Sequence, residues 1–311
     1  MKWFLRILLL WGTIGLASSG YALAWSQGIY ISQSTLERTD YLKYLIRRSK
    51  EVGINTFVID FNHMTKKYRE NIALVKRNGL HYVVRIVVFP DGGKPWQVES
   101  PKYWERKYKL VEQAISVGAE QVQLDYIRYH VGQRPSAENA QDIHRVIKWF
   151  KERLKPQGIP LQIAVFGIAS FGPSYSIGQN LLLFADSVDV VCPMVYPSHY
   201  EPYQKHAHQP YQTILTSLLA LHNQFKQPLP FKLKPYIELT NYRYKNPPAG
   251  KYGYIIEQLR AVQDSNSDGW YAWSANNLYD RLFYALKHAP KSQRQILSET
   301  FYDVVKPITI S

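Results

Sequence analysis

The amino-acid sequence predicts an α/β protein folded as a closed (β/α)₈ barrel, and three observations carry that expectation. Short apolar runs alternate with longer amphipathic segments eight times between residues 28 and 287. Gly53, Gly79, Gly118 and Gly158 each stand just past a helical segment, where a left-handed cap wants glycine. No glycine-rich phosphate loop follows the first strand, which argues against a doubly wound open sheet.

The elements follow in order. Gly28–Ser32 is the first strand, and the first helix lies near Tyr41–Val52. Thr56–Phe61 is the second, where a period of two puts Val58, Asp60 and Asn62 on one face; a helix near Lys66–Asn78 follows. Tyr82–Val88 is the third, with Val83, Arg85 and Val87 together, then a helix near Tyr103–Val117. Gln121–Leu124 is the fourth, aligning Gln121 and Gln123 with Asp125 at its carboxyl end, and Ala137–Leu154 is its helix. Leu161–Phe166 and a short helix at Gln179–Phe184 form the fifth unit. Val188–Met194 and a helix near Tyr211–Phe225 form the sixth. Lys232–Ile237 is the seventh strand, placing Lys232, Lys234, Tyr236 and Glu238 on one face before a helix near Gly253–Asp264. Gly269–Trp273 is the eighth, running into Ser274-Ala-Asn-Asn277 and a last helix near Tyr279–Lys287.

The amino terminus has the three parts of a secretory signal. Lys2 and Arg6 supply the positive start, Ile7 to Ala17 is apolar, and Ala22-Leu23-Ala24 offers the small-x-small cleavage pattern. The apolar run is shorter than the roughly 20 residues that cross a bilayer. The expected organisation is a signal peptide over 1–24, a barrel domain over 25–290 and a tail over 291–311 packing on the barrel. The mature chain of 311 − 24 = 287 residues suits one such barrel, secreted or periplasmic, with no stable membrane span. The single cysteine, Cys192, excludes an internal disulfide, so stability must come from a large core. Cys192 lies in an apolar run and reads as packing rather than as a nucleophile.

The net charge of +14 becomes +12 once Lys2 and Arg6 leave with the signal. An exported basic protein suits a carbohydrate polymer, an acidic one above all. Nucleic acid is excluded as a partner, because the basic residues are dispersed and no binding-module signature appears. The 24 Tyr and 8 Trp supply flat, partly polar rings of the kind sugar sites use, although many serve the core.

In a barrel of this type chemistry sits at the carboxyl ends of the strands. Asp125 occupies such an end, with Tyr126, Arg128 and Tyr129 directly behind it. Two carboxylates across a cleft are what glycoside hydrolysis needs: one protonates the leaving oxygen, the other attacks or activates water. Asp125 and Glu238, on nearly opposite strands, are the expected pair, with Asp60 as substitute should Glu238 point away. Asp60, Arg85 and Lys234 also point inward, where a balanced ion network is the alternative to substrate contact. His199, Trp273 and Asn276 close the set at the ends of the sixth and eighth strands. His206 and His208 lack a third ligand at a telling spacing, so no metal is expected, and no motif calls for a cofactor. No Gly-x-Ser-x-Gly elbow supports acyl transfer.

Several motifs together resemble a bacterial family classed with the glycoside hydrolases, built on a (β/α)₈ barrel and without a settled substrate. They are Val58-Ile-Asp60, Arg85-Ile-Val-Val-Phe89, Gln123-Leu-Asp-Tyr-Ile-Arg-Tyr129, Val165-Phe-Gly167, Ile177-Gly-Gln179, Pro193-Met-Val-Tyr-Pro-Ser-His-Tyr200 and Gly269-Trp-Tyr-Ala-Trp273. The resemblance implies sugar-active ancestry and places Asp125, Arg128, Tyr196 and His199 at the site. The chain departs from the family at two positions. Ala164 stands where an aspartate usually precedes Val-Phe-Gly, and Glu238 where an amide is common. One acid lost and one gained implies either a rearranged catalytic pair or a barrel that binds carbohydrate without cleaving it.

Overall fold

Parallel pairing runs all the way round the molecule in the computed structural model, which describes residues 25–226, 228–240 and 248–289. The strands are β1 (Ser26–Ile31), β2 (Thr56–Asp60), β3 (His81–Val87), β4 (Gln121–Asp125), β5 (Leu161–Phe166), β6 (Val190–Met194), β7 (Lys232–Leu233), β8 (Tyr236–Glu238) and β9 (Gly269–Trp273). β1 pairs with both β2 and β9, and β5 with β6, so the sheet closes. β7 and β8 are two halves of one stave, both lying beside β6. The result is an eight-stave parallel (β/α)₈ barrel with helices outside, as the alternation predicts.

The expected seventh strand is continuous; the observed one breaks at Lys234-Pro235. Proline has no N–H to give the ladder, so pairing is interrupted there and resumes at Tyr236. The expected ends of the other strands lie within two residues of the observed ones. Short helices in the loops after β1 and β6, Gln33–Leu36 and Tyr203–His208, carry too few residues for periodicity to show them. Ser32 caps the first of these, its hydroxyl accepting from Thr35 N at 3.2 Å.

Two apolar layers hold the barrel. The outer one packs faces such as Leu42, Leu45 and Ile46 of helix Thr39–Glu51 against outward strand residues such as Phe57 and Ile59. The inner one joins Val58, Val83, Val190, Cys192, Tyr236 and Tyr271. Polar residues share that interior and satisfy one another: Tyr236 OH donates to Gln123 at 2.8 Å, and Gln162 donates to Gln121 at 2.6 Å. Lys234, fully buried, donates to Ser26 Oγ at 2.8 Å, and burial pulls its pKa down to about 8. Gly53, Gly79, Gly118 and Gly158 all adopt the left-handed conformation expected of them, with φ between 65° and 100°. The expected signal peptide over 1–24 and the expected tail over 291–311 lie outside the described residues.

Candidate active site

The staves end, on their carboxyl side, at a cavity of about 850 Å³, within the range of small-molecule and sugar sites. Its floor is an ion-pair network across three strands. Arg85, on β3, donates from Nη1 to Asp60 at the end of β2. Its Nε and Nη2 reach Oδ2 of Asp125, at the end of β4, at 2.8 and 2.6 Å. The aligned register Asp60↔Arg85 and the two-residue offset from Arg85 to Asp125, which keeps both on one face, bring the three together. Burial alone would pull the Arg85 pKa down; Asp125 and Asp60 overcome it and hold the guanidinium well above its usual value. Tyr30, on β1, donates to Asp60 and stacks beneath the Arg85 guanidinium, 5.2 Å from ring centroid to Cζ. Its phenol is raised by burial and by the Asp60 charge.

The chain turns sharply after Asp125. Tyr126 takes a left-handed conformation, φ 52°, so its N–H folds back onto Asp125 Oδ1 at 2.5 Å. Three donors therefore converge on the Asp125 carboxylate: Nε and Nη2 of Arg85 and the N–H of Tyr126. Arg128 N closes the turn on Tyr126 O at 2.9 Å. The loops after β3 and β4 then zip together, Gly93 N donating to Arg128 O at 2.8 Å and His130 N to Gly93 O at 3.1 Å. Gly92 has to be glycine: its φ is 95°, and a Cβ there would sit 2.5 Å from Arg128 Nη1.

One wall is aromatic. Tyr196 stacks on Trp273 at 5.6 Å and 22°, with His199 edge-on to Tyr196 at 5.3 Å. Phe166, at the end of β5, and Ile168 and Phe171, in the segment after it, line the same cavity, and Ile168 and Phe171 are half exposed at 54% and 48%. Exposed apolar groups at a cleft mouth are what a sugar face stacks on. Beyond Tyr200 lie Glu201 and His206 at the rim. Glu201 Oε1 accepts from Tyr203 OH at 2.5 Å. Burial draws the His206 pKa down, and its Nδ1 sits 3.0 Å from Thr213 Oγ1.

Of the residues expected from sequence, Asp125, Arg85, Arg128, Tyr196, His199 and Trp273 line this cavity. Asp60 sits behind them, coupled through Arg85. Asn276 is exposed and outside the lining; its neighbour Asn277 is the wired amide, accepting from Ser32 N at 2.9 Å. Glu238 is also outside the lining and fully buried. Its carboxylate accepts from Ser198 N at 2.8 Å, Ser198 Oγ at 2.7 Å and Tyr254 OH at 2.6 Å. The loop Pro197–His199 thus folds over the strand end and takes the carboxylate for itself. Alternation along Lys232, Lys234, Tyr236 and Glu238 misled for this reason: Lys232 is exposed, while Tyr236 alone of the four lines the cleft. Sequence reading missed Tyr30, Phe166, Phe171, Glu201 and His206. Tyr30 was recoverable, two residues along β1 from Gly28 on the same face; the loop residues carry no periodicity.

Glu238 yields a pH prediction. Burial outweighs its three donors and raises its pKa, so the folded value exceeds the unfolded one. Its contribution is intact below the unfolded value of about 4.3 and is lost as pH rises through the folded value. Glu238→Gln mimics the neutral form, so the variant should lack that loss. Urea unfolding at a series of pH values should show wild-type stability falling relative to the variant as pH rises from about 4.3 through the folded value. Parallel pH curves for the two proteins would contradict it.

Comparison with known proteins places this geometry. The family described as "Putative glycosyl hydrolase domain" matches residues 92–279. Among solved structures, the spore cortex-lytic enzyme SleL of Bacillus cereus has a TM-score of 0.60 at 12% identity, covering 85% of this chain and 74% of that one. The C-terminal domain of a chitinase-like protein of Desulfitobacterium hafniense scores 0.58 at 11% identity, covering 85% of this chain and 98% of that one. The chitinase of Chromobacterium violaceum scores 0.56 at 12% identity, covering 84% and 98%. At such identities the likeness is one of fold. No curated protein matches the chain in sequence.

Proposed function

The chain belongs to that glycosyl hydrolase domain family, and from this premise we propose that it is a glycoside hydrolase whose reactive carboxylate is Asp125. The observation that carries the reading is Asp125 itself: it lies on the cleft floor, accepts three hydrogen bonds, and faces an aromatic wall. In that setting it attacks the anomeric carbon or activates a water. Among the described lining residues the other carboxylate is Glu201, which we assign as proton donor to the leaving oxygen. Glu238 becomes a positioning residue. By holding Ser198 it fixes the loop that presents Tyr196, His199 and Glu201. Asp60 and Arg85 orient Asp125, Tyr196 and Trp273 stack on sugar, and Arg128 contacts it.

The test is release of reducing ends from a panel of oligosaccharides, chitin fragments and peptidoglycan glycan strands included. Glu201→Gln should slow release about 10²-fold, the lower end for a lost general acid. Aryl glycosides with a good leaving group need no proton and should be far less affected. An equal loss on both substrates would remove Glu201 from the acid role. The anomeric configuration of the product then reports the pair's spacing: about 5–5.5 Å gives retention and about 6.5–9.5 Å inversion.

A second reading has one observation of its own. Ala164 lines the cleft at β5, where the family resemblance calls for an aspartate. A barrel that binds carbohydrate without cleaving it would bind members of the panel and release nothing. We place the mature chain outside the cytoplasmic membrane, on the signal pattern of residues 1–24. Among the described residues no helix is long and apolar enough to cross a membrane.

A further inference from the structure

We propose that Arg128 is an anion subsite of the cleft, pairing with a carboxylate or phosphate carried by the bound sugar. This rests on the glycan-cleft reading above and deepens it to a substrate class. The two guanidinium groups of the cavity contrast. Arg85 is bridged to two carboxylates. Arg128 is 8% exposed, lines the same cavity, and has no carboxylate within ion-pair distance among the described residues. One of its nitrogens, Nη1, donates to Tyr129 O at 2.8 Å. That bond, with Gly92 backbone on one side, fixes the plane of the fork.

The rings of Phe166 and Tyr126 flank the guanidinium at 5.1 and 5.4 Å, an aromatic cradle whose quadrupoles attract the cation but supply no full countercharge. Burial draws the Arg128 pKa down, and the more distant charges of Tyr126, Asp125 and Asp91 do not make up the difference. A desolvated cation without its partner is costly. A planar fork with free N–H groups recovers that cost by bidentate pairing with an oxyanion. The ordinary sugar hydroxyl makes a weaker bond there. The net charge of +14 acts in the same direction, drawing acidic polymers to the protein before the cleft selects among them.

The experiment compares binding of glucose, glucuronate and glucose 6-phosphate to the mature protein by ligand-observed NMR at low ionic strength. The three share one ring and differ at a single carbon, so the oxyanion is isolated. At least one acid sugar should bind about tenfold more tightly than glucose, as expected for a charge-assisted pair. Glucuronate ahead identifies a carboxylate-bearing glycan, and the phosphate ahead a phosphate-bearing one. Arg128→Gln, its fold checked by circular dichroism, should bring all three within about twofold of one another. Arg128→Lys keeps the charge but loses the fork and should forfeit most of the preference, which carries the test if the glutamine variant does not fold. Wild-type protein binding neither acid sugar better than glucose would overturn the proposal, as would a preference that survives in the variants. Cleavage is not read, so an inert protein can still hold the subsite, and a failure of the subsite is told apart from a failure of the hydrolase reading.

Discussion

Asp125→Asn is expected to lower glycan cleavage by a factor of about 10²–10⁴ while the barrel stays folded and sugar still binds. The floor makes this substitution unusually clean. Asp60, Arg85 and Asp125 together carry two negative charges and one positive, −2 + 1 = −1. Asparagine removes one negative charge and leaves Arg85 paired with Asp60, so no buried charge is orphaned. The new side chain's oxygen still accepts from Arg85, and only the Tyr126 N–H loses its acceptor. Activity and melting temperature measured on the same preparation separate the two roles. Full activity would end the assignment of Asp125. A collapse of the melting temperature would show that the carboxylate serves the fold first.

Arg85→Met reverses that logic and should cost about 3–5 kcal/mol of stability, the price of breaking a buried ion pair from one side. Asp60 and Asp125 have side chains only 15% and 11% exposed, and without the guanidinium they face each other uncompensated. Methionine fills a similar space, so the loss isolates charge from volume. Adding Asp60→Asn to Arg85→Met should return much of the stability, because one of the two repelling charges is gone. Chemical unfolding of the wild type, single and double variants gives the cycle. A single-variant cost below about 1 kcal/mol would mean that water already shields the pair.

Much of the barrel was legible because a stave buried on both faces reads as a short, mostly apolar run, as Phe57-Val-Ile59 does in β2 and Ile163-Ala-Val-Phe166 in β5. Helices such as Ala137–Leu154 announce themselves by the opposite pattern, one wet face and one dry. The seventh stave was harder, since Pro235 splits it into pieces too short for alternation to speak. At the site, Asp60, Arg85 and Asp125 were visible from parity on regular strands. Glu238 was misjudged because its surroundings come from a loop 40 residues earlier, through Ser198, and from Tyr254 on the following helix. Parity gives the face of a strand; it does not say which loop will fold across its end. Glu201, Ile168 and Phe171 lie in such connections, where no repeat exists to be read.

The left-handed turn at Tyr126 has a consequence for how this chain can change over generations. A side chain with a Cβ in that conformation costs on the order of 1–2 kcal/mol, a cost glycine would not bear. Selection for heat resistance alone should therefore drift toward glycine at position 126. Doing so strips away the ring that covers Arg128 and loosens the turn that aims a backbone N–H at Asp125. Durability and turnover pull on this residue in opposite directions. A library varied at position 126 and sorted separately for each property should split into two populations, and the tyrosine should be kept only in the lineage selected for chemistry.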